Sequence, residues 1–144
     1  MASKLYGSFI GKSLNKEIDW DSDTIKVALL TSSYSPNQDT HDYFDDVVAN
    51  EVSGTGYTAG GETLGSKTLT YDSGTNVVTL DAADVTWGSS TITARYAVVY
   101  DATPATNATR PLIGYVDFGS DQASSSGNFT ITWDSTGIVK ITVA

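Results

Sequence analysis

The 144 residues contain no cysteine and a single histidine, His41. The first absence removes disulfides, thiolate metal sites and cysteine nucleophiles. The second leaves little for metal binding or general-base chemistry through imidazole. Long apolar runs are also missing. None approaches the roughly 18 residues of a membrane span, and the N-terminus lacks the apolar segment of a signal peptide, so no membrane partner is expected. Positive charge is scarce: eight basic residues stand against seventeen acidic ones, giving a net charge of −9. That balance repels a phosphate backbone and argues against a nucleic-acid partner.

What is present is a strand pattern. A chain of this length makes one domain and can bury roughly 68–70% of its unfolded surface. The stretch Thr91 to Asp101 alternates, with Ile92, Ala94, Tyr96, Val98 and Tyr100 on one face and Thr93, Arg95, Ala97, Val99 and Asp101 on the other. It reads as the central strand of a sheet, with Arg95 paired to an acidic neighbour across it. Thr24 to Thr31 is a second central strand, with Ile25, Val27 and Leu29 opposite Lys26, Ala28 and Leu30. Pro36 and the serines around it end that strand.

The rest of the chain follows the same logic. Residues 1–16 are expected to be an N-terminal arm or edge strand, centred on Leu5 to Ile10, ahead of a single β domain over 17–144. One short helix is expected over His41 to Val48, with acids in its first turn and Tyr43, Phe44, Val47 and Val48 as its apolar stripe. Lys67–Tyr71 and Val77–Leu80 flank a Gly-containing turn and predict a hairpin. Val85–Trp87 and Leu112–Phe118 are further strands, and Gly119 to Gly127 is a serine-rich connection. A second hairpin is expected from Asn128–Trp133 and Gly137–Val143 around Asp134. About eight strands, turns every ten residues or so and almost no helix give an all-β antiparallel sandwich or barrel-like fold.

The motifs with chemical promise each fail on a specific residue. Asp19-Trp20-Asp21-Ser22-Asp23 mimics the start of a calcium loop, but Thr24 stands where the turn needs Gly and Leu30 where a bidentate Glu belongs. Asp39, Asp42, Asp45, Asp46 and Glu51 are explained by helix capping and a solvated face. His41 has no Gly-x-Ser-x-Gly elbow to serve. Gly54-Thr55-Gly56-Tyr57-Thr58-Ala59-Gly60-Gly61 lacks the Lys of a phosphate loop and opens no helix. No catalytic, metal or cofactor residue is assigned, and the chain is not expected to be an enzyme. The long Gly- and Thr-rich connection between Asn50 and Leu64 is instead expected to be a contact surface. Tyr34, Tyr57 and Thr58 are the candidate partner-contact residues, with Trp87 a further exposed aromatic.

Four stretches carry a resemblance. They are Glu17 to Leu30, Tyr34-Ser35-Pro36 with Asp39 to Tyr43, Gly54 to Gly61, and Ala94-Arg95-Tyr96-Ala97-Val98-Val99-Tyr100-Asp101. Together, from about residue 17 to residue 103, they resemble a family of small β-rich virion proteins encoded among the structural genes of tailed bacteriophages. The resemblance implies a capsid decoration (cement) protein, made in the host cytoplasm and found in the virion, with a tail or fibre component as the alternative. Its partners would be the major capsid protein or other virion proteins, and a homotrimer at a symmetry axis is one assembly it allows. The family has no catalytic motif to transfer. A module binding carbohydrate or a host surface is the other alternative, suggested by Trp20, Trp87, Trp133 and the tyrosines.

Overall fold

A computed structural model describes residues 2–143. Among the described residues, ten strands form three antiparallel sheets, beside one short α-helix. The largest sheet has five strands: β1 (Ala2–Leu5), β8 (Leu112–Ala123), β7 (Thr93–Asp101), β2 (Ile25–Leu30) and β3 (Glu62–Thr63), in that order. A three-stranded sheet holds β10 (Val139–Thr142), β5 (Val77–Asp81) and β4 (Thr68–Asp72). A two-stranded one holds β6 (Val85–Ser90) and β9 (Gly127–Ile131). The architecture is an all-β sandwich, and no closed barrel is found among the described residues.

The central pair is β2 and β7, in register from Ile25 opposite Asp101 to Leu30 opposite Tyr96. Both strands are buried on both faces, because the five-stranded sheet is covered on each side. One face meets the smaller sheets through Ile25, Val27, Leu29, Ala97, Val99, Leu80, Val85, Trp87, Phe129 and Val139. The other is covered without a sheet: Tyr6, Tyr34, Phe44 and Val47 pack on Ala28, Leu30, Val98, Tyr100 and Leu112. The second face of β7 is therefore as deeply buried as the first. Its alternation also changes phase. Ala94 and Ala97, three residues apart, lie in the same core, because the β7–β8 register shifts between Ala94 and Tyr96. A bulge of this kind moves every later side chain to the opposite face.

Several expected elements are corrected. The N-terminal edge strand is Ala2–Leu5 rather than Leu5 to Ile10, and the α-helix, α1, Phe9–Leu14, takes over the end of the stretch read as a strand. Phe9 and Lys12 are its buried residues, and the Lys12 ammonium sits 3.6 Å from Glu17, 3.7 Å from Asp42 and 3.3 Å from the centre of the Tyr43 ring. The helix expected over 41–48 is replaced by two 3-10 turns, Phe44–Asp46 and Val48–Asn50. Asp46 accepts the Asp42 and Tyr43 N–H groups as a helix-starting cap does, but the turn breaks at the β-branched Val47 (φ −119) and the chain is extended again at Glu51, which bridges to Leu30 of β2. The serine-rich connection is largely strand, since β8 runs to Ala123 and pairs with Thr93 and Ala94.

The second hairpin is also absent. β9 pairs with β6 and β10 with β5, not with each other. The turn signal is real, with the Gly137 N–H donating to Asp134 O, but the segment 132–138 loops out between two strands that pair with successive pieces of one β5–β6 run.

Candidate functional site

The long loop proposed as a contact surface is pinned rather than free. The Val52 N–H donates to Leu29 O and the Leu64 N–H to Ile25 O, both at 2.9 Å, so the loop's ends continue the edge of β2. Within it the Tyr57 hydroxyl donates to Glu51 Oε1 at 2.6 Å and accepts the Leu29 N–H at 3.0 Å. Its ring lies over Trp87, and burial raises its pKa above the ordinary tyrosine value, with the bond to Glu51 adding to the shift. Gly61 turns the chain at φ +75, where a Cβ would fall 1.8 Å from Val27 O. Solvent meets the loop in separate short pieces, 53–56, Thr58 with Ala59, and 62–63, between the buried or half-buried Val52, Tyr57, Gly60, Gly61 and Leu64.

Tyr34 is likewise turned inward, with 3% exposure. Its hydroxyl is 2.8 Å from the Tyr6 hydroxyl and 2.9 Å from His41 Nδ1, and its ring meets Tyr96 edge-on. Desolvation pushes its pKa up to about 12. Tyr34, Tyr57 and Thr58 do not converge on one surface, and the expectation that Tyr34 and Trp87 are exposed is corrected, since both are buried. Polar turn residues around an aromatic look alike in sequence whether the ring points in or out.

The surface that is exposed and apolar lies elsewhere. In the three-stranded sheet Leu69 pairs with Leu80 and Leu80 with Val139, while Tyr71 pairs with Val78 and Val78 with Ile141. Paired residues share a face, so these six side chains form one apolar surface. Its opposite face carries Thr68, Thr70, Asp72, Thr79, Lys140 and Thr142. Burial along the apolar face falls off sharply. Leu80 and Val139 are in the core, Val78 and Ile141 are half-buried, and Leu69 and Tyr71 are 50% and 55% exposed. Val143, two residues beyond Ile141, is 49% exposed. The sheet overhangs its own core, and the uncovered part is apolar.

β4 is also an edge strand with all five residues exposed. Trp20 covers its start, donating its indole N–H to Thr68 O at 3.0 Å. Beyond that point β4 has no inward-pointing charge, proline or bulge of the sort that normally blunts an edge. Sequence reading placed Leu69 and Tyr71 in a strand; where the core ends beneath them is set by the other sheet. A cleft of about 370 Å³ at the seam between layers is walled mainly by apolar residues such as Leu5, Ile113, Phe118 and Ile138, with Lys4, Asp134 and Lys140 also on its lining; the Asp134 carboxylate is taken up by the Thr136 N–H and hydroxyl.

The acidic stretches serve turns. Asp19 Oδ1 accepts the Asp21 and Ser22 N–H groups at 3.2 Å each, and Asp23 Oδ2 accepts the Asp19 N–H at 2.7 Å. The bond with Ser22 holds Asp19 below the usual carboxylate range. Among the described residues, no three His, Cys, Asp or Glu side chains are grouped so as to hold a metal ion, and no helix is long and apolar enough to cross a membrane. No known family model, curated protein or solved structure matches this chain.

Proposed function

We propose that this protein is a structural subunit of a tailed-bacteriophage particle, a capsid decoration protein that binds the major capsid protein lattice. The observation that carries an assembly role is the overhanging apolar face at Leu69, Tyr71 and Val143, beside the open edge of β4. An isolated soluble domain gains nothing from half-exposed leucine and tyrosine on the core side of a sheet. A subunit that buries them against a neighbour does. The phage assignment itself rests on the resemblance of residues 17–103, and many copies on one particle would supply avidity from a modest interface. Trp20 and Trp87 are 5% and 1% exposed, which leaves the carbohydrate-binding alternative the half-buried Trp133 and, among the tyrosines, the exposed Tyr71 of the proposed assembly surface as stacking rings.

The test is mass analysis of purified particles, with heads and tails separated, combined with a binding assay on empty capsids. The chain is expected in the head fraction, and Leu69→Ser with Tyr71→Ser is expected to abolish capsid binding by a protein that still folds. Absence of the chain from intact particles would sink the proposal; recovery with tails would move it to the tail or fibre.

A further inference from the structure

Asp101 ends β7 with no solvent exposure at all. Its Oδ1 accepts the Thr103 N–H at 2.8 Å, while its Oδ2 is buried without a hydrogen-bond partner. The acid that acts on that carboxyl is Asp23, on the approach to β2, brought beside it by the bonds of the adjoining Thr24 to Ala102 and Thr103. Two ionised carboxylates can offer each other nothing, because each is only an acceptor, and a buried acceptor left unpaired is costly. A single proton resolves this: one carboxyl becomes a donor to the other, and the orphaned oxygen is satisfied.

We propose that Asp101 and Asp23 share one proton, and that this proton latches the Asp19–Thr24 turn to the loop that follows β7. The two segments already meet through main-chain and hydroxyl bonds. The Thr24 N–H donates to Thr103 Oγ1 and the Ala102 N–H to Thr24 O, both at 2.8 Å. The charges packed around the pair are committed elsewhere. Lys67, just before β4, gives its ammonium to the Asp23 carbonyl. Arg110, on the returning loop, donates to Pro104 O and Asn107 Oδ1. Neither forms an ion pair with either carboxylate among the described residues. Desolvation first, and the Asp23 carboxyl second, raise the Asp101 titration to about 6. The latch is therefore closed below that pH and opens as the second proton-free carboxylate appears above it.

Carboxyl-carbon NMR titration of the full chain decides the matter. The expected result is a coupled pair, with one step shifted from the ordinary value of about 4 to about 6, reported by both carbons. Asp101→Asn supplies a permanent amide donor, so the step near 6 should vanish and the melting temperature should stop falling between pH 4 and 6.5. Two independent titrations near 4 would overturn the proposal. So would a shift of the pair's resonances by millimolar calcium at pH 7.5, since that would make the orphaned oxygen a cation ligand. If the Asp101 variant fails to fold, Asp23→Asn and the unmodified chain give the same reading.

Discussion

Arg95 Nε donates to Asp117 Oδ1 at 2.6 Å, and the two residues flank the point where the β7–β8 register shifts. The same carboxylate oxygen accepts the Gly119 N–H at 2.8 Å, where the chain turns at φ +83. Asp117 thus ties the bulge to both strands at once. Asp117→Ala is expected to lower the melting temperature more than Arg95→Met, because only the first also frees the Gly119 turn. Equal losses in thermal unfolding would mean that the bulge does not depend on this carboxylate.

Leu69 and Leu80 face the same way on adjacent strands but differ in what covers them. Leu80→Ala should cost about 2–5 kcal/mol, the usual range for a buried leucine. Leu69→Ser should stay within about 0.5 kcal/mol in the isolated chain. Urea unfolding of both variants checks this. A loss at Leu69 comparable to that at Leu80 would show the overhang to be closed by the chain itself and would remove the surface from the assembly role.

The second core depends on Phe44, which is 1% exposed and stacks on Tyr100 with ring centres 4.0 Å apart and planes 11° from parallel. Phe44→Ala is expected to cost about 3–5 kcal/mol and to expose the Tyr34–His41 side of the five-stranded sheet. Hydrogen exchange should then rise along β2 and β7. If the cost is below about 1 kcal/mol, this face of the sheet is covered only loosely.

Stability should peak on the acid side of neutrality. Asp117, held low chiefly by its bond to Arg95, contributes stability above the ordinary carboxylate pKa that is lost as pH falls through its depressed value. Asp101 works in the opposite sense. Its folded-state pKa is raised from 3.8 to about 6, so ionising it costs up to about 3 kcal/mol, a penalty that grows between those values and is complete above them. The two together place the optimum at roughly pH 4–5, and the net charge of −9 at neutrality acts in the same direction. Melting curves from pH 3 to 8 should show this maximum; a plateau extending to pH 8 would contradict the burial cost assigned to Asp101.

The strands with long, regular alternation were legible in the sequence. β2 and β7 pair as their patterns suggest, and β4–β5 forms the hairpin that its turn residues signal. Arg95 finds its acidic partner across the sheet. What could not be read was anything set by distant contacts. Phe9–Leu14 contains a glycine and has weak helical patterning, and its one turn and a half is held by Phe9 in the core and Lys12 among Glu17, Asp42 and Tyr43. Gly119 to Gly127 has a loop's composition, yet β7 offers it a partner. The candidate surface was half legible: the hairpin signal put Leu69 and Tyr71 in a strand, but nothing local says that the layer beneath stops short of them.

The pairing pattern also sets an order of events in time. β1 finds its partner in β8, more than a hundred residues further along, and β2 waits for β7. β1 therefore leaves the ribosome with nothing to pair with, and β2 has only the two-residue β3 until β7 follows, while the β4–β5 hairpin can close at once. Contacts this far apart in sequence fold slowly. The N-terminal strand should be the last to dock, and a nascent chain stopped before residue 112 should remain open along the whole β1 side.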